Sequence, residues 1–362
     1  MKKVLIVSYW YKPFQTIGAT RIVSFVKYLK LQGWEVAVLT VKDNKWTYDG
    51  LRTQDDIGLK EQVIRLNGIN LASSIRVLSG DRIKGSGQST AKLSRSSNPL
   101  KRLALYCYKN WLTFPDECSS WSSLNRYTAI KESRKFSPDI ILSSALPASS
   151  HLLASHIQKA LEVPWVAEYR DLWTGHLMFE RSSFWEKRHH RLEQKTLQNA
   201  SHLVTVSEPL ALTLRKLHNK ETAIIYNGFD PTEFVACDSH NQKLTLIYTG
   251  MVYDEVQKPQ LLFEALQKLN KQDLINSDNL EFKYYGPNQD YFQSLADKYE
   301  VSHCCSINGN VARSHVLKEQ QKADLVVFFS FSTEGWLSGK IFEYLGAGRN
   351  ILGIGPDDKY VR

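Results

Sequence analysis

The chain alternates short apolar runs with segments of helical period, and this alternation limits the folds open to it more than any other feature. Residues 3–8 (KVLIVS) predict a buried strand, residues 22–29 place apolar side chains on one helical face, and Glu35–Val41 (EVAVLTV) predicts a second strand. A strand, a helix and a strand in succession predict a βαβ unit with a right-handed crossover. The fold class is therefore α/β, with parallel strands.

The alternation occurs in two series, separated by the polar segment 238–243 (DSHNQK). A chain of 362 residues is also longer than one ordinary domain. We therefore predict two Rossmann-like domains, one over residues 1–237 and one over residues 238–362. The second series ends in a strand at Asn350–Ile354 with no helix after it. We expect from this that the C-terminal end of the second domain is incomplete.

The net charge of +9, from 46 Lys and Arg against 37 Asp and Glu, is concentrated in one segment. Residues 82–115 hold seven basic residues and no acidic one, and nine minus these seven leaves +2 for the rest of the chain. Such a balance favours phosphate-rich ligands, nucleic acid or an anionic membrane surface. Within this segment, residues 84–98 (KGSGQSTAKLSRSSN) predict a mobile loop.

Cysteine usage and hydropathy exclude several classes of protein. The five cysteines have no zinc-site spacing, so we expect neither a structural metal nor a disulfide scaffold, and a cytoplasmic location is the simpler interpretation. No apolar run reaches the roughly 18 residues of a membrane span. The apolar N-terminal run predicts a strand rather than a signal peptide.

Two candidate sites follow strands of the first series, and ligands of open α/β sheets bind beyond the carboxyl ends of strands. Gly18 lies where the first loop opens the first helix, and a helix N-terminus favours an anion. Glu168-Tyr169-Arg170-Asp171 follows a later strand, and its carboxylates could position hydroxyl groups or transfer protons. A surface ion network is the alternative. His151 begins a helix after a strand and is expected to face the cleft.

The second series carries the sharper signal, in residues 335–343 (GWLSGKIFE). Ser338 and Gly339 lie near a helix N-terminus, whose free N–H groups attract phosphate, and Lys340 adds a positive charge. Glu343 lies at i+3 from Lys340 and so shares its helix face. A surface Lys–Glu pair is the alternative. The opposite face is expected to enter the core through Leu337, Ile341 and Leu345.

A weaker signal lies at the start of the second series. Gly250 ends its first strand, and Lys258 follows eight residues later, before a helix. A glycine turn with a nearby lysine suits a diphosphate. Motifs of other chemistries do not occur: the sequence lacks GxGxxG, GxSxG, HExxH and GxxxxGK[ST], so a NAD fingerprint, a hydrolase elbow, a metalloprotease and a P-loop are not expected.

Several segments resemble the motifs of one enzyme family. They are MKKVLIVSYWYKP, KYLKLQGWEVAVLT, PDIILSS, VPWVAEYRDLW, ASHLVTVSEPL and IIYNGFDPTEF, followed by LIYTGMVYDEVQKPQLLFEAL and SGKIFEYLGAGRNILGIGP. Together they resemble GT-B glycosyltransferases of family 4, the retaining sugar-nucleotide transferases of bacterial capsule and exopolysaccharide synthesis. The resemblance extends over residues 1–356. It implies two Rossmann-like domains that face each other across a cleft, the first for the acceptor and the second for the nucleotide sugar.

The resemblance also implies roles for single residues. Gly18 matches the loop that approaches the donor diphosphate, and Lys258 matches the lysine of the phosphate clamp. Glu343 matches the glutamate that contacts the ribose. The family's other glutamate, eight positions earlier, falls on Gly335, and Glu334 is one residue away. The arginine of the clamp has no match in residues 251–254.

The implied activity is transfer of a hexose or hexosamine from a nucleoside diphosphate sugar to a lipid-linked glycan. Enzymes of this family need no metal, because protein cations and helix N-termini stabilise the leaving diphosphate. We therefore expect no cofactor beyond the nucleotide-sugar donor. In a front-face attack the departing phosphate oxygen takes the acceptor proton, which leaves little for a side-chain base. Asp171 and His151 are assigned to positioning of the acceptor.

The basic segment is predicted to bind a membrane. Residues 100–114 (LKRLALYCYKNWLTF) interleave Lys and Arg with Leu, Tyr and Trp, as interfacial helices do. Lys101, Arg102 and Lys109 would bring the first domain to the anionic cytoplasmic leaflet, where a lipid-linked acceptor would lie. A solvated basic loop is the alternative interpretation.

Three other functions stay open from the sequence. A UDP-N-acetylglucosamine 2-epimerase shares the two-domain architecture. A non-catalytic remnant would account for the expected incomplete end and for the displaced Glu334. A nucleic-acid binder would account for the charge but for none of the diphosphate motifs.

Overall fold

The computed structural model describes residues 1–14, 16–43, 61–69, 111, 113–175, 181–234, 241–253, 256–331 and 338–356. The chain divides into two compact units, Met1–Ile225 and Tyr226–Arg362. The predicted domain boundary after residue 237 falls within 235–240, outside the described residues. The predicted mobile loop at 84–98 lies outside them as well.

The first unit contains a parallel sheet of seven strands with helices between them. Its elements in chain order are β1 (Lys3–Val7), α1 (Ile17–Leu31), β2 (Glu35–Val41), β3 (Gln62–Leu66), α2 (Ser119–Leu124), α3 (Arg126–Phe136), β4 (Ile140–Ala145), α4 (Ser149–Leu161), β5 (Trp165–Tyr169), α5 (Ser183–Leu197), β6 (His202–Thr205), α6 (Glu208–His218) and β7 (Thr222–Ile224). The spatial order is β3-β2-β1-β4-β5-β6-β7.

Helices cover both faces of this sheet, because alternate residues of each strand point to opposite sides. Val4 and Ile6 of β1 pack in one cluster with Ile22 of α1, whereas Leu5 and Val7 pack in the cluster on the other face. Burying each such side chain contributes about 1.5–3 kcal/mol. The strand order reverses between β1 and β4, so the loops that follow these two strands diverge at the carboxyl edge.

Three elements in the described part of the first unit are absent from the sequence prediction. The strand β3 lies at the edge of the sheet and carries polar Gln62 and Arg65, so it lacks the apolar run of a buried strand. The helices α2 and α3 bury only narrow faces; that of α3 consists of Ala129, Ser133 and Phe136. Their polar composition explains why apolar patterns alone did not predict them.

The second unit repeats the same plan with five parallel strands. Its elements are β8 (Leu244–Thr249), α7 (Gln260–Lys271), β9 (Leu280–Tyr285), α8 (Gln289–Lys298), β10 (Cys305–Asn308), α9 (Arg313–Lys322), β11 (Leu325–Phe329), α10 (Lys340–Ala347) and β12 (Asn350–Ile354), with 3-10 turns at Pro231–Glu233 and Ser302–Cys304. The spatial order β10-β9-β8-β11-β12 reverses between β8 and β11. The predicted fold class, two Rossmann-like α/β domains, is therefore confirmed in its architecture.

The core of the second unit also has two faces. On one face, α7 and α8 bury Phe263 and Phe292 against Phe282 of β9. On the other, Ile341 and Tyr344 of α10 pack on Ile247 and Val326. The prediction that Leu345 enters the core is wrong: this side chain is 56% exposed, and Tyr344 takes the buried position. Leu337 lies outside the described residues.

Candidate functional site

The strand order of the second sheet reverses between β8 and β11, and we call this place the switch point. It brings together Gly250 and Lys340, which the sequence indicated separately. Gly250 follows β8 and has a φ of +91°, a conformation that favours glycine. A Cβ atom at this position would lie 3.1 Å from Cε of Lys340, at the start of α10. Gly250 therefore allows both the turn and the close approach of the lysine side chain.

The amino group of Lys340 is held inside this turn rather than paired with Glu343. Its Nζ donates hydrogen bonds to the hydroxyl of Tyr248 and, at 2.7 Å, to the carbonyl oxygen of Met251. It also lies 4.3 Å from the centroid of the Tyr248 ring. Burial lowers the pKa of Lys340 to about 7, although the charge of Glu343 acts in the opposite direction. A bound anion would therefore stabilise the protonated form of Lys340.

Glu343 lies in the first turn of α10 and is paired with an arginine from another helix. Arg313, the first residue of α9, donates from Nη1 to Oε1 of Glu343. The same guanidinium contacts Glu233, with Nη2 3.1 Å from Oε2 and Nε 3.4 Å from Oε1. The three side chains are 25–38% exposed, so they lie at the surface of the site and not in the core.

The other predicted donor-site residues have simpler surroundings. The Oγ atom of Ser338 accepts a hydrogen bond from the backbone N–H of Lys340 at 3.3 Å, and Gly339 immediately precedes α10. Lys258 is exposed and lies two residues before α7. Glu334 lies outside the described residues.

Two residues that the sequence analysis missed hold the turn after β8 in place. Gln257 is buried; its Nε2 donates to the carbonyl of Phe329 at 2.7 Å, and its Oε1 accepts from the N–H of Tyr253 at 3.0 Å. Asn288, after β9, accepts from the N–H of Val252 at 3.1 Å. These bonds join the ends of β9 and β11 to the loop between Gly250 and Lys258. A buried amide has no sequence signal of its own.

The segment 227–234 (NGFDPTEF), which the sequence analysis placed in the first domain, is part of the second unit. A Cβ atom on Gly346 of α10 would lie 2.6–2.8 Å from ring carbons of Phe229 and Phe234. The two rings pack against each other with centroids 5.5 Å apart. The segment therefore rests directly on the helix that carries Lys340 and Glu343.

In the first unit, the structure brings Gly18 and Asp171 to one place through Arg170. Gly18 is the second residue of α1, and a Cβ atom there would overlap the guanidinium of Arg170. Nε of Arg170 lies 3.2 Å from Oδ2 of Asp171. Both side chains are partly exposed, at 18% and 30%. They lie at the carboxyl edge, where β5 ends and α1 begins.

His151 does not lie where the sequence prediction put it. Its side chain is fully buried in α4, so it cannot contact an acceptor in this structure. Nδ1 is 2.7 Å from Oγ of Ser143, and that hydroxyl also accepts from Nε1 of Trp165 at 2.7 Å. Burial, together with the smaller effect of nearby His218, lowers the pKa of His151 to about 3. His151 is a neutral part of the core.

Glu168 is also fully buried. Its Oε1 accepts from Nε of Arg21 at 2.8 Å, and Oε2 accepts from the hydroxyl of Ser144. Arg21 also donates from Nη2 to the carbonyl of Ile225 at 2.7 Å. Of the two carboxylates in the predicted cluster, only Asp171 is therefore available to a ligand.

The predicted membrane residues Lys101, Arg102 and Lys109 lie outside the described residues. A neighbouring cluster is described: Trp111 and Phe184 are 60% and 64% exposed, and both pack on the ring of Trp185. The guanidinium of Arg188 lies 5.1 Å from that ring and 5.4 Å from the ring of Trp111. Exposed aromatic rings here surround a positive charge.

Two general properties concern the described residues only. No helix among them has both the length and the apolar character needed to cross a bilayer. Within the same ranges, no group of three or more His, Cys, Asp and Glu side chains is placed to hold a metal ion.

The fold is that of a two-domain α/β protein of the GT-B class, and one helix of its second unit begins with a lysine and carries a glutamate in its first turn. Residues 95–233 match the model of the family described as Glycosyltransferase Family 4. No curated protein matches the chain significantly. The family match and the fold together support a GT-B glycosyltransferase.

Solved structures share the fold at low sequence identity. Sucrose-phosphate synthase from Thermosynechococcus elongatus has a TM-score of 0.59 and 11% identity, over 98% of this chain and 81% of that chain. The structure of Anabaena Alr3699/HepE in complex with UDP-glucose has a TM-score of 0.56 and 12% identity, over 98% of this chain and 80% of that chain. A UDP-N-acetylglucosamine 2-epimerase has a TM-score of 0.54 and 14% identity, over 99% of this chain and 80% of that chain. These similarities confirm the predicted fold class.

Proposed function

We propose that the chain is a retaining glycosyltransferase that moves a sugar from a nucleoside diphosphate sugar to a lipid-linked glycan in cell-surface polysaccharide synthesis. The observation that carries the proposal is the placement of Lys340 and Glu343 in the first turn of α10, beside the glycine turn after β8. A cation and a carboxylate one turn apart match the two ends of a nucleoside diphosphate, its phosphates and its ribose. The UDP-glucose in the HepE structure supports a nucleotide sugar as the donor.

The diphosphate would bind at the N-terminus of α10. The helix dipole there favours an anion, and Lys340 lies within the same turn. The exposed side chain of Lys258 would add a second cation. Glu343 would accept hydrogen bonds from the ribose hydroxyls, and hydrogen bonds to a charged group contribute about 1.5–3 kcal/mol each.

The transfer step would need little side-chain acid–base chemistry. The bond between the anomeric carbon and the phosphate oxygen breaks while the acceptor oxygen bonds that carbon on the same face. The departing phosphate oxygen takes the acceptor's proton, so atoms and charge balance. Lys340 and Lys258 would stabilise the negative charge that develops on the diphosphate, and we expect no metal. Asp171 would position the acceptor hydroxyl, held by Arg170 at the edge of the first sheet.

The acceptor is proposed to lie at the cytoplasmic leaflet. Exposed Trp111 and Phe184 around Arg188 have the mixture of aromatic rings and positive charge that suits an anionic interface. Together with Lys101, Arg102 and Lys109 they would attach the protein peripherally. Changing those three basic residues to Glu should abolish sedimentation with vesicles of anionic lipid; sedimentation equal to that of the wild type would refute the attachment.

The proposed activity is tested by a screen of nucleotide sugars with bacterial lipid extract as the acceptor. Mass spectrometry should detect an acceptor product heavier by one hexose or hexosamine residue with at least one donor. NMR of that product should show that the configuration at the anomeric carbon is retained. An inverted linkage would contradict the mechanism, and the absence of product with every donor would contradict the activity.

A second candidate function is epimerisation at C2 of UDP-N-acetylglucosamine. It is favoured by the likeness to the 2-epimerase, which is nearly equal to the likeness to sucrose-phosphate synthase. Incubation with UDP-N-acetylglucosamine alone distinguishes the two functions. A C2 epimer that forms without any acceptor would establish the epimerase, whereas a transferase leaves that carbon unchanged.

A further inference from the structure

Arg313 joins two carboxylates that are far apart in sequence. It is the first residue of α9, and its guanidinium lies between Glu233, 80 residues before it, and Glu343, 30 residues after it. Glu233 is itself fixed, since it ends the 3-10 turn Pro231–Glu233, at whose start Asp230 accepts from the N–H of Thr232 at 3.0 Å. The arginine thus links a structured turn to the first turn of α10.

An arginine at this position needs an explanation, because a cation at a helix N-terminus opposes the helix dipole. The two carboxylates supply that explanation. Burial acts to lower the pKa of Arg313, but the charges of Glu343 and Glu233 outweigh it and hold this pKa above its ordinary value. The guanidinium is therefore bound to the pair as a permanent charge.

The contact leaves part of Glu343 available. In the portion of the chain that the structure describes, Arg313 bonds Oε1 of Glu343, and Oε2 has no hydrogen bond. A carboxylate with one oxygen fixed has lost most of its rotational freedom before a ligand arrives. Its second oxygen then points in a defined direction for hydroxyl donors.

We infer that Arg313 is a positioning residue that holds Glu343 in the orientation that binds the ribose hydroxyls of the donor. The inference rests on the proposed function, because it takes the donor to be a nucleoside diphosphate sugar. Arg313 acts through Glu343 and touches neither the phosphates nor the sugar. Glu233 serves as the second support of the guanidinium.

The test measures nucleotide binding to the full chain by isothermal titration calorimetry. UDP, GDP and ADP are titrated first, and the tightest is compared with its 2′,3′-dideoxy analogue. Glu343→Gln should weaken binding of the ribonucleotide by about tenfold or more, the loss expected for a hydrogen bond to a charged group. Arg313→Gln should weaken it by about five- to tenfold, and neither variant should change binding of the dideoxy analogue.

Three further variants separate positioning from general stability or charge. The double variant R313Q/E343Q should bind the ribonucleotide no more weakly than E343Q alone, since the two residues act as one unit. Arg313→Lys should restore part of the affinity. Glu233→Gln removes only the second carboxylate that holds Arg313, and it should weaken binding of the ribonucleotide about twofold. Circular dichroism and thermal midpoints confirm that each variant is folded.

Other outcomes overturn the inference in distinguishable ways. Wild-type affinity in R313Q would show that Arg313 does not position Glu343. Equal weakening of the ribonucleotide and the dideoxy analogue would show that Arg313 attracts the phosphates. Additive losses in the double variant would show independent contacts. If the wild type binds none of the three nucleotides, the proposed function itself fails and the inference falls with it.

Discussion

Lys340 donates a hydrogen bond from its amino group to the carbonyl oxygen of Met251 at 2.7 Å, which connects the first turn of α10 to the loop after β8. The contact holds the start of α10 against the turn after β8, where the strand order of the second sheet reverses. It places a partly buried amino group where an anion would bind. Burial lowers the pKa of this lysine to about 7, so its charge depends on pH in the physiological range.

The lowered pKa of Lys340 predicts pH-dependent nucleotide binding. A bound diphosphate favours the protonated amine, so above pH 7 binding must take up a proton and should weaken by up to about tenfold per pH unit between pH 7.5 and 9. Titration calorimetry in two buffers of different ionisation enthalpy measures this uptake. Lys340→Arg, which stays charged, should remove the pH dependence; an unchanged slope in that variant would contradict the assignment.

The same pKa predicts how the stability of the second unit varies with pH. The folded-state pKa of about 7 lies below the ordinary value of 10.5, so between these values the unfolded chain binds more protons. The free energy of unfolding should therefore rise as the pH increases from 7 towards 10. Lys340→Met should lose this rise, as measured by urea unfolding at pH 7 and pH 9; an equal rise in both proteins would show that other groups cause it.

Gly18→Ala should separate stability from activity in the first unit. The methyl group would displace the guanidinium of Arg170, while alanine in a helix gains up to about 1 kcal/mol over glycine. We expect an unchanged or higher thermal midpoint together with roughly tenfold lower transferase turnover. Arg170→Lys should lower turnover without adding to the effect of Gly18→Ala. Full turnover in G18A would show that the position of Arg170 is unimportant.

Breaking the ion pair between Arg21 and Glu168 should strongly destabilise the first unit. Arg21→Met leaves a fully buried carboxylate without its partner, which should cost about 3–5 kcal/mol of the free energy of unfolding. The double variant R21M/E168M should cost less than Arg21→Met alone, because no buried charge is left. Denaturant unfolding followed by tryptophan fluorescence measures both values. A single-variant loss below about 1 kcal/mol would contradict this prediction.

His151 should affect stability but not the chemistry. His151→Leu removes the bond to Ser143 and should cost about 1–3 kcal/mol, while the turnover of the folded fraction and its pH profile stay unchanged. With a folded pKa of about 3 and an ordinary value of 6.5, wild-type His151 contributes stability above pH 6.5 that is lost as the pH falls towards 3. A shifted activity profile in the variant would instead restore His151 to the reaction.

Much of the fold could be predicted because buried parallel strands leave a strong pattern. The runs at β1 and β2 are apolar on both faces, and their bounds were predicted to within one residue. The edge strand β3 was missed, since only one of its residues is buried. Periodicity predicted the buried face of α10 only in part: it placed Ile341 correctly but predicted Leu345 in the core, where Tyr344 is buried instead.

The site was predictable only where its residues are close in sequence. The group of Ser338, Lys340 and Glu343 could be found from the local pattern of a helix start. Arg313 could not, since its partners Glu233 and Glu343 lie 80 and 30 residues away. His151 shows the converse limit: the pattern places it at the start of a helix, but the direction of its side chain depends on the packing of Ser143 and Trp165.

The most direct test of the central claim is release of nucleoside diphosphate from a panel of nucleotide sugars in the presence of lipid extract. The wild type should release it above background with at least one donor, and Lys340→Met should lower the rate at least a hundredfold, about the effect of removing one group that stabilises developing charge. Lys268→Gln, on the exposed side of α7, is the matched control and should react as the wild type does. Release by the wild type and K340M at the same rate, or by neither, would contradict the account.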